Sequence, residues 1–342
     1  MSVETLGPAA LEELKLARLL VADLLEPNGK RYWTDLAAGA AVGWGAFGLA
    51  CAATSPFWTI AAGLISALAL YRIFTFMHEL THLRPGSVPG FRTGWNLAVG
   101  VPMLLPSIFY EGVHLAHHHN RTYGTKDDPE YLPLAGKKRT IVALLLFSFV
   151  APLVLLGRFL LLAPLSHALP ALRRWLDARS SSYTFNPGFV RRASDAERRD
   201  LRRWELAILA FWAGVLGAAI AGWLPAKALA VWYGVYATIA LVNRFRALLA
   251  HRYELDGEPV DRMGQLRDSI DHPGGFWTEL WAPLGLRYHA LHHLFPTLPY
   301  HHMAHAYRRL IEQLPAGGVY REAQSAGSLS SWRDLFRSRP AA

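Results

Sequence analysis

Four apolar runs in this chain of 342 residues approach the length that a helix needs to cross a lipid bilayer. They cover residues 37–54, 59–77, 206–223 and 228–242, and a spanning helix needs about 20 predominantly apolar residues. Because the bilayer interior offers no water to unpaired backbone groups, such segments must be helical. Composition agrees, since only 18% of the residues are charged, against about 25% in soluble domains. The sequence therefore predicts an all-α integral membrane protein with several crossings.

Prolines interrupt two further apolar stretches, at residues 95–109 and 140–165. A proline inside a helix removes a hydrogen bond and clashes with the preceding turn. We therefore expect both stretches to be interfacial or re-entrant, returning to the side that they left. About four transmembrane helices remain.

Charge predicts the orientation of these helices. The loops that join the runs within each pair are short and almost uncharged, whereas residues 166–203 contain nine arginines. Arginine-rich loops stay in the cytoplasm. We expect both termini, and the ends of the second and fourth runs, to be cytoplasmic.

The rest of the sequence predicts how the chain is divided into segments and which partners it has. The sequence predicts an amphipathic cytoplasmic segment at residues 1–34, a membrane domain at residues 35–310 and a cytoplasmic tail at residues 311–342. It predicts no cleavable signal peptide at the start. The net charge of +9 lies beside apolar runs, which favours anionic membrane lipids over nucleic acid as partners. The single cysteine, Cys51, excludes an internal disulfide and a thiolate metal site.

The candidate metal ligands of this chain are histidines. Three groups stand out: box one, HELTH at 78–82; box two, HLAHH at 114–118; and box three, HALHH at 289–293. Spacings of three and four residues put the imidazoles of a box on one helix face. The eight candidate ligands are His78, His82, His114, His117, His118, His289, His292 and His293. One zinc ion takes four ligands, so eight imidazoles suit two ions, and imidazole alone accepts zinc, copper, iron or nickel.

The boxes and their surroundings resemble the membrane fatty acid desaturase family. Box three continues as HALHHLFP, and the resemblance extends to YGTKDDPEY at 123–131, LLAHRYE at 248–254 and the stretch 268–301, covering about residues 35–310 in all. It implies two iron ions, O2 as co-substrate and a fatty acyl or lipid substrate in a tunnel beneath the metals. It also implies a helical cap, on the cytoplasmic face, that carries the boxes.

The same resemblance implies a ninth ligand after the last span, and His251 stands there. Some relatives place an asparagine one turn earlier, where this chain has Ala247, while Asn243 lies two turns back. The last ligand of one iron is therefore open. Metal-bound histidines usually donate their other ring N–H to a neighbouring acceptor. The candidates near the boxes are Glu79, Glu111, Asp128, Asn243, Glu254 and Asp271.

The resemblance implies a fatty acid desaturase of lipid metabolism, which inserts a C=C double bond into an acyl chain. A hydroxylase or ketolase on the same site stays open, because the boxes do not decide between these products. The electron donor would be a ferredoxin, or a small b-type cytochrome with its reductase, steered to the arginine-rich face.

Two other classes of protein share some of these features. HELTH also fits the HExxH motif of zinc proteases, and Leu255–Asp256–Gly257 could supply the distant aspartate of an intramembrane protease. That interpretation leaves boxes two and three without a role. A metal carrier would line its spans with ionisable groups, whereas these histidines lie at the ends of the spans and outside them.

Overall fold

The computed structural model describes residues 7–337, which fold into helices joined by turns. The first half contains α1 (Pro8–Val21), α2 (Gly29–Ala52), α3 (Pro56–Phe74), α4 (Phe76–His82), α5 (Phe91–Trp95), α6 (Ile108–His117), α7 (Lys138–Gly157) and α8 (Ala163–Leu165). The second half contains α9 (Pro170–Arg179), α10 (Asp195–Ile220), α11 (Ala226–Leu248), α12 (Arg262–Asp268), α13 (Phe276–Trp281), α14 (His289–Leu294), α15 (Tyr300–Gln313), α16 (Val319–Glu322) and α17 (Ser328–Phe336). The all-α fold is confirmed.

Five stretches of the described chain are long enough and apolar enough to cross a membrane, one more than predicted. They are Gly29–Ala52, Pro56–His82, Lys138–Leu165, Asp195–Ile220 and Ala226–Leu248. A multi-pass membrane protein fits this set, since many of their side chains are apolar and exposed on the outer surface.

The additional helix is Lys138–Leu165, where prolines predicted a break. Pro152 lies within α7, and a π-helical turn, Arg158–Leu162, separates α7 from α8 and Pro164. In apolar surroundings, local π adjustments re-pair the backbone groups that a proline frees. The expected interruption is therefore wrong, and the helix continues past both prolines.

The far end of this long helix lies near α6, which carries box two, whereas its start contacts α17. At its start, the amide of Gly136 donates to α17 across a 2.8 Å contact. Towards its end, the guanidinium of Arg158 stacks on the ring of Phe109 at 5.5 Å. The chain that follows is bonded to α6 as well, because the Tyr183 amide donates to the Phe109 carbonyl at 2.7 Å. The re-entrant path of this stretch stays a prediction.

Helices α2 and α3 pack through small residues. Gly39 and Gly43 are four residues apart on α2, and a Cβ atom on Gly43 would lie 2.7 Å from Cγ and 3.3 Å from the backbone nitrogen of Leu70 on α3. Small residues at this spacing let helix backbones approach closely inside a membrane. The pair thus fixes the course of α3, which continues into the box-one helix α4.

Helix α1 shares a hydrophobic core with four helices that follow α11, and we call this assembly the cap. Buried side chains of α1, α12, α14, α15 and α16 share one core. The carboxylate of Glu13 on α1 accepts from the amides of Val319 at 2.9 Å and Tyr320 at 3.0 Å. The predicted N-terminal segment therefore packs on the cap from α1 onward, while its first six residues lie outside the described ones. The division at residues 34 and 310 stays a prediction.

We expect Gly43→Ala to lower Tm, because its methyl group would overlap Leu70, which is fully buried. Overpacking of this kind costs about 1–3 kcal/mol. Gly45→Ala is the matched control, since a Cβ atom there meets nothing within 4 Å. Thermal unfolding of both variants in one detergent checks the expectation, and equal Tm values would contradict the close packing.

Candidate metal centre

The structure brings all nine predicted histidines into two groups. The first group contains His78, His82, His114, His118 and His292, and the second contains His117, His251, His289 and His293. Within each group, one nitrogen atom per residue lies within 4.8 Å of all the others.

Helical geometry explains how three boxes serve two groups. In box one, His78 and His82 are four residues apart on α4 and face the same group. In box two, His117 and His118 are neighbours, so their side chains leave the helix about 100° apart. They point into different groups, and box three divides in the same way. Boxes two and three therefore connect the two groups.

The distances between ring nitrogens fit ligands at right angles around an ion. The Nε2 atom of His118 lies 3.0 Å from those of His114 and His292, and the Nε2 atom of His289 lies 2.9 Å from that of His251 and 3.1 Å from that of His293. Metal–nitrogen bonds of about 2.1 Å place ligands about 3.0 Å apart at right angles and about 3.4 Å apart at tetrahedral corners. The two groups, which contain five and four imidazoles at this spacing, therefore suit metal ions that bind more than four ligands.

Burial keeps most of these imidazoles neutral, which is the form that binds metal. Burial, and then the neighbouring histidines, hold the pKa of His114, His118 and His292 well below the usual value. The same causes lower the pKa of His289 and His293. The residues also fit a metal in another respect: the buried Nε2 atoms of His78 and His82 have no hydrogen-bond partner within residues 7–337. A cation between the rings would satisfy them.

Acceptors behind the rings orient several histidines. His117 Nδ1 lies 3.0 Å from both carboxylate oxygens of Asp128, which also accept from the amides of Gly124 and Glu130 at 2.8 Å. Burial lowers the pKa of His117, but the Asp128 carboxylate outweighs it, and the net shift of that pKa is upward. Asp128 thus stands where the sequence predicted an acceptor.

The sequence analysis missed four further partners. Glu130 contacts His114 Nδ1, and burial raises the pKa of Glu130 to about 7. Asp268 lies 3.3 Å from His251 Nδ1, Tyr123 donates to or accepts from the same atom at 2.9 Å, and Gln265 lies 3.2 Å from His293 Nδ1. Tyr123 and Glu130 belong to the stretch 123–131, and Asp268 begins the stretch 268–301. Both stretches carried the family resemblance, whereas Gln265 lies outside every motif that carried it.

Three predicted acceptors have other partners. Glu79 accepts from the Tyr32 hydroxyl at 2.6 Å, because its position next to His78 turns it to another helix face. Glu111 forms an ion pair with Arg92. Asn243 donates to the Tyr183 hydroxyl at 3.3 Å.

The last two predicted acceptors lie beside the histidine helices. Asp271 accepts from the amides of Ala290 at 2.8 Å and Leu291 at 3.2 Å, and so holds the start of α14, which carries box three. Burial raises the pKa of Asp271 to about 6. Glu254 is exposed and lines a pocket that reaches His251 from outside.

The arrangement leaves little support for a zinc protease. His78 and His82 share their group with three further imidazoles. The carboxylate of Glu79, which would have to act as the base, is bonded to Tyr32. Asp256 is exposed, and its carboxylate accepts from the Glu258 amide at 3.3 Å.

Comparison with known proteins identifies the family to which the chain belongs. The model of the family "Fatty acid desaturase" matches residues 56–324. A ceramide hydroxylase from Caulobacter vibrioides (strain NA1000 / CB15N) is 42% identical over 331 residues, covering 94% of this chain and 92% of the relative. The matched region contains all three boxes, His251 and the acceptors behind the rings. The chain therefore belongs to the fatty acid desaturase family, as an oxidoreductase of its desaturase and hydroxylase group.

Proposed function

We propose that the protein hydroxylates a long-chain membrane lipid with O2 at a di-iron centre, and that a ceramide is its substrate. The observation that carries the proposal is the pair of buried histidine groups, five and four imidazoles, in a chain 42% identical to a ceramide hydroxylase. The reaction converts a C–H bond, O2, two electrons and two protons into an alcohol and water. It therefore needs an electron donor, such as a ferredoxin or a b-type cytochrome with its reductase.

Desaturation of an acyl chain, the reaction expected from the sequence, is the second candidate. The name of the matching family model favours it. Both reactions begin at an unactivated methylene and use the same histidines, so the product distinguishes them.

Bound iron would supply the oxygen activation and hydrogen abstraction that no protein side chain can perform. The chain itself holds the imidazoles in place. Asp128 and Glu130 occupy the Nδ1 side of His117 and His114, which leaves the Nε2 lone pairs directed into the groups. Burial excludes water and keeps most of the rings neutral. We assign the nine histidines as the iron ligands on this basis.

The arginine-rich stretch between residues 166 and 203 supports a cytoplasmic position for the site. α6, which carries box two, lies against this stretch, since Arg191 donates to the Ile108 carbonyl at 2.9 Å. A donor protein with an acidic surface would be attracted to the same face.

Expression with a ceramide supply should yield a lipid heavier by one oxygen atom. His118→Ala should abolish this product, because it removes an imidazole from the larger group. His119→Ala is the control, since this neighbouring side chain is exposed and outside both groups. Mass spectrometry of extracted lipids measures the product. A species lighter by two hydrogen atoms would instead establish the desaturase.

Purified protein should contain about two iron ions per chain, since two groups of this size suit two ions. Asp128→Asn should weaken metal retention about 10–100-fold, because it removes the charged partner of His117. Asp127→Asn is the matched control, since Asp127 is exposed. Metal analysis during titration with a chelator checks this. Equal retention by both variants would contradict the role given to Asp128, and one zinc per chain would contradict the di-iron site.

A further inference from the structure

We propose that the lipid substrate enters sideways from the bilayer between α7 and α11, and that Arg244 binds oxygen atoms of its polar linkage. The inference rests on the proposed function for the identity of the lipid. The route itself follows from two pockets that share lining residues, and from Arg244, a largely buried cation that lines both.

The first pocket lies against the larger histidine group. Its wall includes His78, together with Tyr110 and Glu130, which both contact His114. Arg244 and Arg246 line the same pocket. A molecule in this space would therefore place part of itself beside the proposed irons.

The second pocket is a groove between two long helices. α7 contributes Phe147, Ala151 and Val154, and α11 contributes Tyr236 and Ala240. These positions follow helical spacing, so each helix presents one face to the groove. The groove is mostly apolar along its length.

The two pockets meet at shared residues. Tyr183, Thr184 and Arg244 line both of them. Arg244 also continues the α11 stripe, because it stands four residues after Ala240. On the proposed route, a single elongated molecule would extend from the groove to His78 past this polar junction.

Arg244 points to the chemistry of the occupant. Its side chain is only 9% exposed, and its guanidinium stacks on the Phe185 ring at 4.3 Å. Within residues 7–337 it makes no hydrogen bond or ion pair to another side chain or to a carbonyl group. Nearby, the buried Nε atom of Arg246 also has no partner. Arg244 lines both pockets, so its donors are available to an occupant that offers oxygen acceptors at the junction, and such an occupant would stabilise the charge.

The surroundings of the groove favour a membrane lipid as the occupant. On α7, the side chains of Phe149, Val150 and Leu153 are apolar and exposed, and they belong to a helix that suits a membrane. A lipid already dissolved in the bilayer reaches such a groove without crossing water. A ceramide offers an amide carbonyl and hydroxyl groups to Arg244, Tyr183 and Thr184, while its chains match the apolar walls.

Photolabelling tests the route without requiring turnover. The iron-loaded protein, in lipid nanodiscs, is irradiated with a photoactivatable ceramide, and labelled peptides are identified by mass spectrometry. Labels are expected on α7 and on the segment that contains Tyr183 and Thr184. Ala151→Trp should reduce this labelling about tenfold by filling the groove, equivalent to about 1.4 kcal/mol. Leu153→Trp, on the exposed face of the same helix, should label like the wild type.

Arg244 is tested by substitution. Arg244→Met keeps much of the side-chain length but removes the donors, and loss of a charged hydrogen bond should raise KM for ceramide about tenfold. Iron content and kcat should change little, and Arg244→Lys should restore part of the binding. A change confined to kcat or to iron content would overturn the binding role.

The outcomes separate this inference from the proposed function. Hydroxylated product without labelling of the groove, or equal labelling of both tryptophan variants, would overturn the lateral route and leave the hydroxylase standing. Labelling of the groove without product would uphold the lipid site and contradict the hydroxylase. Displacement of the label by an anionic phospholipid but not by unlabelled ceramide would overturn the choice of occupant.

Discussion

The close packing of neutral imidazoles is the constraint on which the rest of the structure depends. Nitrogen atoms such as Nε2 of His118 and His292 face each other at 3.0 Å without a carbonyl or carboxylate between them. Two neutral rings are compatible at such a distance when one nitrogen donates its proton to the other, or when a cation lies between the two lone pairs. Burial keeps the rings neutral, and carboxylates on the outer side, such as Asp128, provide the opposing charge. The apolar helix α3 leads into box one, and the cap contains α14, which carries box three.

The cap also connects the ends of the chain to the site. Glu13 on α1 holds the start of α16, where the hydroxyl of Tyr320 donates to Asp271 at 2.7 Å. Asp271 in turn holds the start of α14, and with it box three. A six-residue helix such as α14 has too few internal hydrogen bonds to be stable alone. Contacts with distant parts of the chain therefore keep His289, His292 and His293 in position.

The accuracy of the sequence predictions depended on how local each feature is. The nine histidines follow from helical spacing and from the family resemblance, and the structure groups all of them. Asp128 could be predicted because it closely follows box two. Gln265 could not, since its contact with His293 depends on how α12 packs. Glu79 was misplaced because a neighbour in sequence lies on another helix face. Lys138–Leu165 was predicted to break, although a π-helical turn accommodates its second proline.

Buried guanidinium groups show how this fold treats charge that has only a structural role. Arg158 is buried to a similar degree as Arg244, yet it donates to Glu205 and to the Ser180 carbonyl at 2.9 Å. The chain therefore pairs this buried arginine with a carboxylate, although its Nη1 atom has no partner within residues 7–337. Arg244 forms no ion pair within residues 7–337, and the unpartnered Nε2 atom of His78 lies on the wall of a pocket that Arg244 also lines. Unsatisfied polar groups in a folded protein concentrate where function requires them. The proximity of Arg244 to His78 supports the proposal that metal binding and lipid binding share one site.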